Sequence, residues 1–218
     1  MQRYVDACSR HENARRLPAL LERIVADPVR HARFVNTLAR LEYVGVRKML
    51  KSRRADRLDQ DGLQHVLDEA VHALRLKKAA VALAAAAPEA VRTFAARDTL
   101  AGDAGEGYFQ ALDHRAESAL AALPGAADRA EANYLLTSAA IEVRAQVFYP
   151  LYEARLRAHA APFSVAAITR DEDRHLAEMA AGLGRVLGDE WRRYLEPTLA
   201  AEEALFGRFL DAVEGALG

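Results

Sequence analysis

The chain has 218 residues, with 31 acidic side chains against 30 basic ones. That length fits one domain, residues 1–218, large enough to bury a core without metal or disulfide staples. Near-zero net charge argues against binding nucleic acid or an anionic membrane through a bulk basic surface. The lone cysteine, Cys8, excludes an intrachain disulfide framework and any four-cysteine iron–sulfur, zinc or rubredoxin site. No run reaches the roughly 18–20 apolar residues of a membrane helix. The most apolar stretch, 79–87, is short and mostly alanine, which suits close helix packing. Met1 to Asp6 lacks the apolar core of a signal peptide, so the cytoplasm is the expected location.

Alanine makes up about a fifth of the chain, with leucine, glutamate and arginine also common. This is a helix-forming mixture without alternating β-branched runs, so the chain reads as all-α. A short amino-terminal helix is expected over about 10–26. Asp27-Pro28 then reads as a cap followed by a first-turn proline, opening a helix from Pro28 to about Arg54 with Phe34, Leu38, Leu41, Gly45 and Met49 on one side. A charged connection follows, and Asp59 or Asp61 caps a second long helix that ends before Pro88. Leu63, Val66, Leu67, Ala70 and Leu74 are expected to form its apolar side. Glycines and Pro124-Gly125 break the pattern between 88 and 128, which reads as a long crossover with a helix of its own over about 107–123. A third long helix runs from Asp128 to about Ala160, with Pro150 expected to kink or end it. A fourth starts at Pro162-Phe163-Ser164, with Ser164 as candidate cap, and reaches Leu187. A carboxyl-terminal helix is expected over about 190–210, interrupted near Pro197. Two tight helical hairpins joined by one long crossover give a ferritin-like four-helix bundle, core about 28–187, with extra terminal helices.

The chemistry lies in a repeated pattern. Asp68-Glu69-Ala70-Val71-His72 and Asp171-Glu172-Asp173-Arg174-His175 both read D-E-x-x-H inside a helix. Each follows a helix with a glutamate in an apolar stretch: Glu42 stands 27 residues before Glu69, and Glu142 stands 30 before Glu172. Both gaps fit one helical hairpin that brings its two acids level. Positions i and i+3 share a helix face, so Glu69 with His72, and Glu172 with His175, can face one centre. Four carboxylates inside a bundle need compensating charge, and two divalent iron or manganese ions supply it. Asp68 and Asp171 each precede a ligand by one position. Asp68 is expected to hold the outer ring nitrogen of His175, and Asp171 that of His72.

His65 lies on the same face, four before Glu69; it could be an extra ligand, a pocket base or a supporting donor. Gln146 and Tyr149, four and seven after Glu142, and Tyr43, beside Glu42, are further candidates near the centre. His114 to Glu117 reverses the ligand order within the crossover and reads as surface. Lys51, Arg53 and Arg54 form a basic cluster too small to argue nucleic-acid binding.

The set Glu42, Glu69, His72, Glu142, Glu172 and His175 resembles the ferritin-like di-metal carboxylate superfamily, whose signature is E, E-x-x-H, E, E-x-x-H on four helices. The resemblance spans about 28–187. It implies two iron ions, or manganese, that activate dioxygen or peroxide. Ala70 and Val71 stand where a bacterioferritin typically carries its haem methionine, so no haem is expected, and the single cysteine leaves no Fe–S cluster. The terminal helices are not needed by a storage cage. The reading is therefore a di-iron oxidase or oxygenase acting on a small-molecule substrate, with a separate electron donor. Homodimerisation is an expectation of the resemblance. The alternatives are an iron-handling ferroxidase, and a structural helical protein without metal.

Overall fold

The computed structural model describes residues 1–52, 55–86 and 88–218. Arg53 and Arg54 of the basic cluster, and Ala87 at the end of the alanine run, lie outside them. Among the described residues are eight α-helices and no strand: α1 (Gln2–Arg10), α2 (Glu12–Val25), α3 (Pro28–Ser52), α4 (Gln60–Leu83), α5 (Ala104–Ala119), α6 (Ala126–Ala158), α7 (Ala166–Leu187) and α8 (Trp191–Ala216).

Local chemistry explains most boundaries. Asp27 accepts hydrogen bonds from the backbone N–H of Val29 and Arg30 at 2.9 and 3.0 Å, and so starts α3. Between the two candidate caps of α4 it is Asp59 that acts, accepting from Gly62 N–H at 2.9 Å. The amino-terminal segment is two helices instead of one. The chain breaks at His11, whose backbone is extended and whose ring accepts from Asn13 N–H. Ser164 hydrogen-bonds Ala166 N–H, but α7 begins only at Ala166.

Neither proline ends its helix. Pro150 lies inside a continuous α6 and Pro197 inside a continuous α8, which runs on to Ala216. Both prolines sit on exposed faces, where water replaces the lost backbone hydrogen bond. The buried faces around them, Phe148 and Tyr152 on α6 and Leu195 and Thr198 on α8, hold each helix in place.

α3 packs along α4, and α6 along α7, as two hairpins joined by the long crossover. α5, inside that crossover, lies along α8 and also touches α3 and α6, while α2 packs on α6. Two apolar clusters form the core. One gathers Leu17, Leu21, Ile24, Phe34, Tyr152 and Leu210. The other gathers Tyr134, Leu136, Val143, Met179, Leu183 and Leu195. The polar layer that carries the D-E-x-x-H residues lies between them along α3, α4, α6 and α7.

The buried face of α4 overturns one expectation. Its buried residues are Gly62, His65, Glu69, His72, Leu76 and Ala80. The expected apolar side points outward: Leu63, Leu67 and Leu74 are each more than half exposed, Ala70 is exposed, and Val66 is partly covered. Three polar side chains inside the bundle, His65, Glu69 and His72, force the leucine stripe out, because the two faces lie on opposite sides of one helix. A Leu67→Ser change should therefore shift stability by no more than about 0.5 kcal/mol, as expected for a surface site. Chemical denaturation checks this; a loss of core size would contradict it.

His31 is a buried group of different kind. Its Nε2 lies 2.6 Å from the Tyr152 hydroxyl, and burial pushes its pKa down to about 4. A histidine depressed in the fold loses its contribution as pH falls from the ordinary value near 6.5 through 4. That loss should approach about 3 kcal/mol at the acid end. Replacing His31 with glutamine should flatten the acid limb of a stability–pH curve; an unchanged limb would contradict the assignment.

Candidate metal centre

Each element delivers its side chains to one layer. Glu69 and His72 on α4, Glu142 on α6, and Glu172 and His175 on α7 are all buried, and Glu42 on α3 is half-buried. Gly45 lets α3 approach: a Cβ there would stand 3.3 Å from Glu69 Oε2. His175 Nδ1 lies 2.8 Å from Glu172 Oε2, and His72 Nδ1 lies 3.4 Å from Glu172 Oε1. Glu69 Oε1 is 3.6 Å from His175 Nδ1 and 3.5 Å from His65 Nε2.

His65 joins the cluster fully. Its ring stacks on His175 with centroids 3.8 Å apart, its Nε2 is 3.7 Å from Glu142, and its Nδ1 lies 3.3 Å from the Tyr134 hydroxyl. The donor atoms fall into two sets, each within 4.8 Å of one another: His65, Glu69, Glu142 and His175 in one, Glu42, Glu69, His72 and Glu172 in the other. Glu69 belongs to both.

The two aspartates stand behind the histidines. His72 Nε2–H points to Asp171 Oδ2 at 3.0 Å, and His175 Nε2–H to Asp68 Oδ2 at 3.4 Å. Asp68 also accepts from Arg174 at 2.6 Å and from Gln64 at 2.8 Å. A proton held on each Nε2 would leave each Nδ1, which faces the carboxylates, as the nitrogen that gives up its proton to a bound metal.

The other candidates separate. Tyr149 is buried beside the centre, and its hydroxyl donates to Glu42. Tyr43 does not reach the centre: it is 44 % exposed and stacks on Phe94 at 5.6 Å. The helix turns by 100° per residue, so a neighbour of Glu42 faces elsewhere. Gln146 turns toward α7, where its amide lies 3.5 Å from the Thr169 carbonyl. His114 and Glu117 are exposed on α5.

The electrostatics record crowded charge. Burial, then the charges of Glu69 and Glu172, raise the Glu42 carboxyl well above its usual range. Glu142 is raised the same way, by burial and by Glu172 and Glu69. Burial disfavours the charge on Glu172 too, but the hydrogen bond from His175 and the nearby His72 imidazole overcome it and lower its pKa. Burial also opposes charge on His72, yet Glu172, Glu42 and Glu69 together raise it to about 10. Burial and mutual repulsion thus push the Glu42 and Glu142 carboxyls toward the neutral form, while the neighbouring carboxylates favour the charged form of His72 and His175.

This donor set fits divalent metal on an observation independent of spacing. His72 Nδ1 is buried, faces the carboxylates and has no hydrogen-bond partner. An orphaned imidazole nitrogen beside the carboxylates of Glu42, Glu69 and Glu172 suits a metal ligand, since unpaired buried polar atoms are otherwise costly.

A cavity of about 590 Å³ opens onto the layer. It lies between α3 and α6, where these helices stand apart, and α5 and α8 cover it. Leu38, Leu41, Ile141, Phe148 and Phe209 are among its walls, and Glu42, Glu69, Glu142, Glu172 and Tyr149 line its inner end. Nothing in the spacing of the four ligand helices announces it.

A buried ion cluster that pins α8 to α6 also escaped the sequence reading. Arg144 binds Glu202 through Nε at 3.0 Å and Nη2 at 2.9 Å, and reaches Glu203 at 2.6 Å. Tyr108 on α5 donates to Glu202 at 2.6 Å. Burial raises the Glu202 pKa against the pull of Arg144. The signal was present: Glu202 lies in the apolar run Leu199–Phe209, just as Glu42 and Glu142 lie in theirs.

Fold and site together define an all-α bundle with a buried carboxylate–histidine cluster able to bind metal. No model of a protein family, no curated protein and no solved structure is found to match the chain.

Proposed function

We propose that the protein is a non-haem di-metal oxidoreductase of the ferritin-like type that uses dioxygen or peroxide to oxidise a small organic molecule. The observation that carries this reading is the junction of the donor cluster with the inner end of a largely apolar cavity. Iron storage gives no reason for apolar walls of this extent, whereas an organic substrate does.

Glu42, Glu69, His72 and Glu172 would hold one ion, and His65, Glu69, Glu142 and His175 the other. A pair of iron or manganese ions bound there supplies Lewis acidity and redox equivalents. The chain supplies the rest. Asp171 and Asp68 fix the histidine tautomers. The Tyr149 hydroxyl orients Glu42 at the cavity wall and can pass a proton to it. Leu38, Ile141 and Phe148 exclude water from the side where substrate would lie. Metal uptake displaces the protons that Glu42 and Glu142 hold, so affinity should rise with pH.

The test is oxygen uptake by protein loaded anaerobically with ferrous ion. The proposal expects sustained uptake only with both a reductant and an oxidisable apolar compound. Sustained uptake driven by added ferrous ion alone, with accumulation of ferric mineral, would instead establish the iron-handling alternative.

A further inference from the structure

We infer that the cavity is a binding site for an amphipathic organic anion, with its apolar body inside and its charged end at Lys51 and Arg47. What happens to the bound molecule rests on the oxidoreductase reading; the binding itself does not. The walls are largely apolar from the carboxylate layer to a mouth bounded by Leu50 and Lys51, with Thr137 and Ser138 the small polar exceptions on α6. Glu42 and Lys51 are nine residues apart on one helix, so centre and mouth are separated by about 13 Å. That length suits a medium alkyl chain or a linked pair of rings, and the volume lies within the ordinary range for organic ligands.

Charge sets the orientation. Three cations, Arg47, Lys48 and Lys51, line the mouth on successive turns of α3. Lys48 is taken by Asp113. Arg47 lies over the Tyr43 ring at 5.8 Å, and its one ion-pair contact among the described residues is a 3.6 Å approach to Glu106, an acid that Arg40 already holds at 2.5 Å. Among the described residues no acid pairs with Lys51, which is exposed. Beside it, Leu50 is 64 % exposed and forms an apolar lip. At the other end the lining is Glu42, Glu69, Glu142 and Glu172, with neither lysine nor arginine among them to hold an anion. The charged group therefore belongs at the rim, against Lys51 and the free edge of Arg47, and the apolar end at the centre.

The test uses decanoate and the uncharged decanol as probes, titrated calorimetrically into metal-free protein. Both should bind, decanoate more tightly. In Arg47→Glu/Lys51→Glu, two exposed changes, decanoate affinity should fall about tenfold or more while decanol affinity holds. Ala145→Phe, which fills the cavity, should abolish both. Equal decanoate affinity in the rim variant, or no binding of either probe by folded wild-type protein, would overturn the inference. Uptake of ferrous or manganous ion by separate aliquots of the same protein is an independent readout. Probe binding without metal uptake would sink the oxidoreductase reading alone, and metal uptake without probe binding would sink this one alone.

Discussion

Metal-free protein should lose stability as pH rises from about 5 towards 9, and divalent iron or manganese should restore it. Glu42 and Glu142 have pKa values raised well above the unfolded value of 4.5. The fold thus binds their protons more tightly than the unfolded chain does, and their contribution falls as pH climbs past 4.5. His72, raised to about 10, contributes fully below 6.5 and loses that contribution as pH approaches 10. All three act in one direction. Glu172, lowered in the fold, contributes above 4.5 and is lost only in strong acid. His72 alone should cost roughly 3 kcal/mol by pH 9, or about 10 °C in Tm for a chain of this size, and the two glutamates add to the loss in the same direction. A cation bound at a thousand times its Kd returns about 4 kcal/mol. Thermal melts at pH 5, 7 and 9, with chelator and with metal, check this. A metal-free Tm that stays level or rises across that range would contradict the charge assignment.

Arg144→Ala should be the most damaging single change outside the centre, costing about 3–5 kcal/mol. The guanidinium is buried against Glu202 and Glu203, and its removal strands Glu202, itself 2 % exposed, without a counter-charge. Cys8 belongs to the same enclosed neighbourhood, where burial pushes its thiol up to about 12. The damage would reach the cavity, because α8 supplies Phe206 and Phe209 to its wall and the Arg144 guanidinium lies 4.2 Å over the Phe206 ring. Arg144→Leu combined with Glu202→Leu should cost clearly less than Arg144→Ala, since the fully buried acid goes with its partner and Glu203 keeps His11 and Asn13. A double-mutant cycle by denaturation measures the difference. Equal costs would mean that the pair holds nothing beyond its packing.

Helix content, the two hairpins and the long crossover were legible in the sequence because caps such as Asp27 and Asp59 and the breaks around Gly102 and Pro124 act locally. The repeated D-E-x-x-H was legible because a helix turns its spacing directly into a shared face. Pro150 and Pro197 misled because tertiary packing overrides a local breaker on an exposed face. The leucine stripe of α4 misled for a related reason: apolarity ordinarily marks the inside, and here the inside is taken by Glu69, His72 and His65. The cavity was not legible at all. It depends on how far α3 stands from α6 under α5 and α8, a tertiary distance that no spacing along the chain encodes.

The central claim is that the carboxylate–histidine layer binds two metal ions per chain. Elemental analysis of protein refolded with excess ferrous or manganous ion and then desalted tests it most directly, beside a Glu172→Ala/His175→Ala variant shown to be folded by circular dichroism. The account expects about two ions per chain in the wild type and fewer than one in the variant. A folded wild-type protein without stoichiometric metal, or a variant that retains the wild-type amount, would contradict it.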